Sequence, residues 1–199
     1  MLGEALTYPR RGDDWIRRTL LGGLCILLGV FGLPLLLLAG YALRVLDRPD
    51  RGEPPAFGDW FDLFEEGARA VVLAFAYTLV PAVVLTLSVL AANAGFGTLG
   101  GLLALSTLGL YLLALYVLPV GLLHSYREGT LGASLDVEHV RSTCLDARYA
   151  RAWALAAALS LLGLLATVSL GLVIVGGFVG FLIFLGAWRA LSLGIAAVE

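Results

Sequence analysis

Charged residues are missing from three long stretches of this chain. No Asp, Glu, Lys or Arg occurs in residues 70–126, 152–188 or 19–43, which are 57, 37 and 25 residues long. A helix needs about 20 apolar residues to cross the hydrocarbon core of a bilayer, and no helix in a soluble core requires runs of this length. The sequence therefore predicts an integral membrane protein with an all-α, multi-span helical bundle.

Lysine is absent, and all thirteen basic residues are arginine. The net charge is -2 and only 14% of the residues are charged, against about 25% in soluble domains. Because there is no basic excess, we expect no nucleic-acid partner. The polar sequence is too short for a separate soluble domain, so residues 1–199 are predicted to form a single integral membrane domain.

Cysteine and histidine are scarce, with two residues of each. The two cysteines, Cys25 and Cys144, lie far apart in the sequence, and so do His124 and His139, so neither pair forms a metal-ligand motif. The chain also lacks a phosphate-binding loop of the Walker type and a Gly-x-Ser-x-Gly elbow. The sequence thus predicts no catalytic residues, no cofactor and no metal, and a protein that is not an enzyme.

Span length divides the uncharged stretches into about five apolar segments. Residues 70–126 must hold two spans, and residues 152–188 are too long for one. Asn93 to Gly97 predicts a turn in the first stretch, since Asn and Gly tolerate left-handed dihedrals, and the second is predicted to break near Gly171. The predicted segments are 19–43, 70–92, 98–123, 152–170 and 172–197, separated by polar loops 44–69 and 127–151.

Arginine position predicts which loops face the cytoplasm. Each polar loop carries four arginines, while the turns near 93–97 and 171 carry none. Arginine in short loops is retained on the cytoplasmic side. We therefore predict a multi-pass protein of the plasma membrane with both polar loops cytoplasmic.

Residues 19–43 admit two arrangements. A single crossing is favoured by length alone, but it would separate four N-terminal arginines from the other nine. A re-entrant hairpin, with limbs 19–31 and 34–46 and a turn from Gly29 to Pro34, would keep all thirteen on one face and give six helices. The arginine distribution favours the hairpin. The four arginines in question are Arg10, Arg11, Arg17 and Arg18.

Aromatic residues before the second apolar segment recur at helical spacing, with charged residues between them. This pattern predicts an amphipathic helix over 57–69, which either lies flat in the membrane interface or packs on the bundle. A weaker stripe in loop 127–151 comprises Val137, Val140, Cys144 and Ala147. Asp13 is a candidate N-cap for a helix starting at Trp15. The interfacial or structural candidates are Asp13, Trp15, Tyr41, Arg44, Phe57, Asp59, Trp60, Phe61, Phe64, Tyr126 and Asp136.

Three functional hypotheses remain. The favoured one is a non-enzymatic membrane module that presents its amphipathic loops to membrane lipids, to a protein partner or to a second copy of itself. The second is a small channel or permease with a path lined by Ser106, Thr107, Tyr111 and Thr167. The third is an enzyme or accessory subunit acting on lipid through Asp13, Asp14, Asp59 or Asp136.

Three patches of residues resemble an archaeal, halophile-rich membrane family known as domain of unknown function 4013. The resemblance covers nearly the whole chain, although Leu135 stands where an aromatic residue is expected. It implies a multi-span archaeal membrane protein and brings no known activity. The patches are Pro9 with 12–15; Gly40, Tyr41, Arg44, Gly52, Phe57, Asp59, Trp60, 63–64 and Gly67; and Tyr126, Gly129, 132–133, Asp136, Tyr149 and Trp153.

Overall fold

Eight α-helices make up the computed structural model of this chain, which describes residues 2–170 and 175–199. Short 3-10 turns connect some of them, and no strand occurs within those ranges. The all-α prediction is confirmed. The helices are α1 (Leu2–Thr7), α2 (Trp15–Leu27), α3 (Leu33–Leu46), α4 (Trp60–Asn93), α5 (Gly97–Glu128), α6 (Val137–Cys144), α7 (Ala147–Leu170) and α8 (Val175–Ala196).

Four of these helices, α4, α5, α7 and α8, are long and apolar enough to cross a membrane. This indicates a membrane protein. Helix α4 has 34 residues and α5 has 32, lengths of about 51 and 48 Å at 1.5 Å per residue. A hydrocarbon core is only about 30 Å thick, so both helices extend beyond it.

The apolar stretch 19–43 reverses direction instead of crossing once. Helices α2 and α3, of 13 and 14 residues, are joined by a 3-10 turn over Leu28–Phe31 and by Gly32, whose φ of 80° favours glycine. Arg18, near the start of α2, donates to the carbonyl of Pro54, beyond the end of α3. Side chains of the two limbs also share one core cluster, so the stretch folds back on itself as a helical hairpin. Its re-entry into the membrane stays a prediction. Each limb is about 20 Å long.

The predicted separate amphipathic helix over 57–69 is wrong. Helix α4 runs without a break from Trp60 to Asn93, so its first turns cannot lie across the span that follows. The interruption of helical structure falls earlier, in the connection that contains Pro54, Pro55 and Asp59. Asp59 adopts a left-handed φ of 51°. Phe57 thus precedes the helix, and the connection between α3 and α4 is shorter than the predicted loop 44–69.

The second polar loop is shorter than predicted because α5 continues to Glu128 and α7 begins at Ala147. Within it, α6 turns Val140 into the protein but leaves Val137 75% exposed, so the predicted stripe is only partly correct. The turn after Asn93 is confirmed, with Gly95 at a φ of 90°. The predicted break near Gly171 lies outside the described residues.

Helices α3 and α4 cross at two glycines. A Cβ atom added to Gly40 would overlap the carbonyl oxygen of Leu63, and one added to Gly67 would overlap that of Leu36. The contact is therefore backbone against backbone, which only glycine permits. It fixes the hairpin of α2 and α3 against the first turns of α4.

Helix α5 is joined to α7 at a proline. Pro119 has no N–H to bond the carbonyl of Leu115 four residues earlier. The indole Nε1–H of Trp153 donates to that carbonyl at 3.1 Å, and the hydroxyl of Tyr149 donates to the neighbouring carbonyl of Tyr116 at 2.7 Å. The Trp153 indole of α7 thus replaces the hydrogen bond that the proline removes from α5, and Tyr149 adds a second bond beside it.

Candidate functional site

Ion pairs gather distant parts of the chain at one end of the bundle. The guanidinium of Arg127, near the end of α5, contacts Asp47 at 2.8 Å and Glu199 at 2.7 Å. Arg189 of α8, which is only 3% exposed, pairs with Glu4 at 2.7 Å. That bond lowers the pKa of the Glu4 carboxyl. We use the name charged end for the segments between and beyond the longer helices at this end of the bundle, which are residues 2–14, 47–59, 129–146 and 197–199.

The N-terminal segment is bound to the connection between α3 and α4. The fully buried Tyr8 donates its hydroxyl to the carbonyl of Glu53 at 3.3 Å, and burial raises the pKa of Tyr8. The buried Arg18 donates to the carbonyls of Pro54 and Arg11. These contacts hold residues 52–54 over the ends of the hairpin that lie away from its turn, at the start of α2 and the end of α3.

Two of the candidate aromatic residues pack inside the protein and not at its surface. Tyr41 is fully buried, stacks on Phe57 with ring centroids 4.1 Å apart, and donates to the carbonyl of Pro55 at 2.9 Å. Trp60 and Phe61, by contrast, are exposed at the start of α4. The candidate aromatic residues are therefore divided between the core and the outer surface.

Two candidates near the N-terminus lie on the outside of the charged end. Trp15 begins α2, as predicted, and its ring is partly exposed. The predicted N-cap at Asp13 is wrong, because Asp14 occupies that position and its side chain makes no cap hydrogen bond. Asp13 is exposed to solvent.

Arg44 and Tyr126 are brought together by Glu66. The guanidinium of Arg44 holds the Glu66 carboxylate through two bonds of 2.7 and 3.3 Å and also donates to the carbonyl of Gly58 at 3.1 Å. The Tyr126 hydroxyl lies 3.4 Å from the same carboxylate. Helices α3, α4 and α5 therefore share one polar junction. Glu66 was not a candidate, because the charge pattern of α4 gave no sign that it differs from its exposed neighbours.

A cleft of about 580 Å³ lies beside this junction, between α4 and α5. Its floor is apolar. On its rim Glu66 is paired with Arg44 and Glu65 with Arg69, and the rim is acidic because Asp62 takes part in none of the ion pairs of the described residues. From Asp62 to Leu73 the cleft follows α4 for about 16 Å. The rim residues are Asp62, Glu65, Glu66, Arg69, Ser125, Tyr126 and Thr130, and the apolar lining includes Leu43, Ala70, Leu73, Leu122 and Leu131.

The remaining carboxylate candidate caps α6. Asp136 accepts hydrogen bonds from the backbone N–H groups of Glu138 and His139 and lies 3.8 Å from His124. The rings of His124 and His139 stack 4.1 Å apart. Over residues 2–170 and 175–199, no group of three or more His, Cys, Asp or Glu side chains is arranged to hold a metal ion.

Hydroxyl groups in the middle of the spans bond to their own helices. Ser106, Thr107 and Thr167 each donate to the carbonyl four residues earlier, at 2.8 to 3.0 Å. Thr107 is buried, whereas Ser106 is exposed on the same helix. These side chains therefore make local contacts and do not bond to one another.

A comparison with protein-family models identifies the family. The model described as "Protein of unknown function (DUF4013)" matches residues 23–185, most of the chain. The chain belongs to the DUF4013 family. No curated protein and no solved structure matches it. The polar junction and the cleft lie wholly within the matched residues, whereas Asp13, Trp15, Arg189 and Glu199 lie outside them.

Proposed function

We propose that this DUF4013 protein is a non-enzymatic membrane module whose charged end docks a basic, amphipathic segment of a partner protein. The observation that carries the proposal is the cleft with an acidic rim and an apolar floor. An amphipathic helix binds such a groove through its apolar face, and basic side chains along its edge would meet the carboxylates of the rim. The same rim would repel the phosphates of lipid headgroups.

We place the charged end on the cytoplasmic side of the plasma membrane. Support comes from the arginine distribution, because arginine near span ends is retained in the cytoplasm. The hairpin of α2 and α3 brings the N-terminal arginines beside the loop that carries Arg48 and Arg51. From the family resemblance we also infer an archaeal, salt-adapted host.

The permease hypothesis receives less support. A path for a polar solute requires polar groups that face a shared, water-filled space. The hydroxyls of Ser106, Thr107 and Thr167 are instead satisfied by carbonyls of their own helices. We therefore keep the docking function as the proposal.

The test uses the full-length protein in nanodiscs made of neutral lipid. Two fluorescent peptide helices share one apolar face, but one is basic and the other acidic, and binding is followed by fluorescence anisotropy. We expect the basic peptide to bind, with an affinity that falls as salt rises. The variant Asp62→Lys/Leu131→Trp, which reverses an exposed rim charge and narrows the cleft, should bind it at least about tenfold more weakly.

The matched control is Asp13→Lys/Leu6→Trp, which makes the same changes at exposed residues outside the cleft. It should bind as the wild type does. Equal binding of the acidic peptide, or unchanged binding by the cleft variant, would refute the proposal. Light scattering tests for a dimer. If a dimer forms and the cleft variant dissociates it, the cleft binds a second copy of this chain and not a partner protein.

A further inference from the structure

A groove distinct from the cleft runs along the part of α5 that precedes the residues of the cleft. It extends from the middle of the span to α6. Two adjoining hollows, of about 250 and 350 Å³, share Tyr77 and Val117 as lining residues. The lower one reaches Pro81 and Leu110, and Leu110 lies about 10 Å below Val117 along the helix. The upper one continues beneath α6. The groove shares no lining residue with the cleft.

The polar groups along the groove are already engaged. The hydroxyl of Tyr77 donates to the carbonyl of Ser134 at 2.5 Å, and the Ser134 hydroxyl donates to Leu131 at 2.7 Å. The carbonyl of Cys144 accepts from Tyr116 at 2.7 Å, and burial raises the pKa of the Cys144 thiol to about 11, so the thiol is neutral. The wall of the groove therefore suits a hydrocarbon chain, which needs no hydrogen-bond partner.

One cation stands at the mouth of the groove. Arg141 is exposed and, within residues 2–170 and 175–199, has no carboxylate within 4 Å. The Asp136 carboxylate, which also lines the upper hollow, accepts hydrogen bonds from the N–H groups at the start of α6. Val137 and Leu145, which flank Arg141 in the lining, are 75% and 74% exposed. The mouth thus combines apolar walls with a guanidinium, which binds phosphate well.

We propose that this groove holds one hydrocarbon chain of a membrane lipid whose phosphate headgroup binds Arg141. The position fits a lipid of the leaflet on the side of the charged end, because α6 lies at that end and the groove descends from it into the span. The lipid would fill the space between α6 and α5 and so support α6 from below. This site does not depend on the docking function.

The test is native mass spectrometry of the full-length protein in mild detergent with phosphatidylglycerol and diacylglycerol of the same chains. We expect the wild type to retain one phosphatidylglycerol in preference to diacylglycerol. Val117→Trp and Leu113→Trp, which fill the groove, should each reduce the bound fraction of phosphatidylglycerol at least tenfold. Leu113 is 56% exposed, so its replacement leaves the packing of the bundle intact.

Two control variants separate the groove from general effects. Leu112→Trp adds the same bulk on the far side of α5, and Arg151→Gln removes an exposed arginine elsewhere; both should bind lipid as the wild type does. Arg141→Gln should remove the preference for the phosphate lipid. Retention of phosphatidylglycerol by both groove-filling variants, equal binding of the two lipids by the wild type, or no retained lipid at all would overturn the proposal.

Discussion

The crossing of α3 and α4 gives the sharpest test of the packing. Replacing Gly67 by Ala places a methyl group on the carbonyl oxygen of Leu36. The backbone of α4 fixes the position of the methyl carbon, and the oxygen belongs to the backbone of α3, so no side-chain rotation relieves the overlap and the helices must separate. Overpacking of this kind costs about 1–3 kcal/mol.

Separation also strains the polar junction beside the crossing, where Glu66 adjoins Gly67 and Arg44 lies one turn after Gly40. Arg44 and Glu66 lie on the two crossing helices, and hydrogen bonds between charged groups contribute about 1.5–3 kcal/mol. Against these losses, alanine favours a helix over glycine by about 0.5–1 kcal/mol. We expect Gly67→Ala to destabilise the protein by about 2–4 kcal/mol, which lowers the melting temperature by about 4–16 °C.

The assay is thermal unfolding in one mild detergent, followed by circular dichroism. The matched control is Gly109→Ala in α5, where an added Cβ meets no atom within 4 Å. At that position the substitution only replaces glycine by alanine, which has the higher helix preference, so the melting temperature should rise slightly. A Gly67→Ala protein as stable as the wild type, or shifts of the same sign in both variants, would refute the crossing.

Three further predictions concern single contacts. Trp153→Phe leaves the carbonyl of Leu115 without its donor and should lower stability by about 1–3 kcal/mol in the same thermal assay. The bond to Arg189 lowers the pKa of Glu4, so this pair stabilises the fold near neutral pH and its contribution is lost as pH falls below the ordinary Glu value of about 4.3. The melting temperature should therefore fall more on acidification in the wild type than in Glu4→Gln. Because burial raises the pKa of Cys144 to about 11, maleimide at pH 8 should modify Cys144 at least about tenfold more slowly than a cysteine replacing the exposed Ser142 in the Cys144→Ala background.

The spans could be predicted from the sequence because the bilayer imposes a simple physical requirement. A helix that crosses hydrocarbon satisfies its backbone internally and carries apolar side chains over a fixed length. The long uncharged stretches of the sequence are a direct consequence of that requirement. The reversal within 19–43 was also accessible, since Gly32 and Pro34 interrupt the stretch and the arginines favour one face.

The pairing of particular side chains could not be predicted. Glu66 resembles Glu65 in the sequence, yet one binds Arg44 across a helix contact and the other pairs with Arg69 on its own helix. Gly40 and Gly67 are likewise two of 25 glycines. Their roles follow from where helices cross, and that depends on the whole fold and not on local pattern.

The continuity of α4 was missed for a related reason. The change from polar to apolar residues at Arg69 suggested a boundary between two helices. A helix continues through that change in polarity, because polar and apolar residues propagate a helix about equally well. The change marks a boundary in polarity along one continuous helix.

The central claim is that the N-terminal segment and both polar loops lie on one face of the membrane. Its most direct test is the labelling of single cysteines in intact cells by an impermeant maleimide, in a background of Cys25→Ala and Cys144→Ala. A cysteine at position 94 should be labelled in intact cells, whereas cysteines at positions 13, 50 and 138 should be labelled only after lysis. Labelling at position 13 in intact cells, or opposite sidedness for positions 50 and 138, would contradict the account.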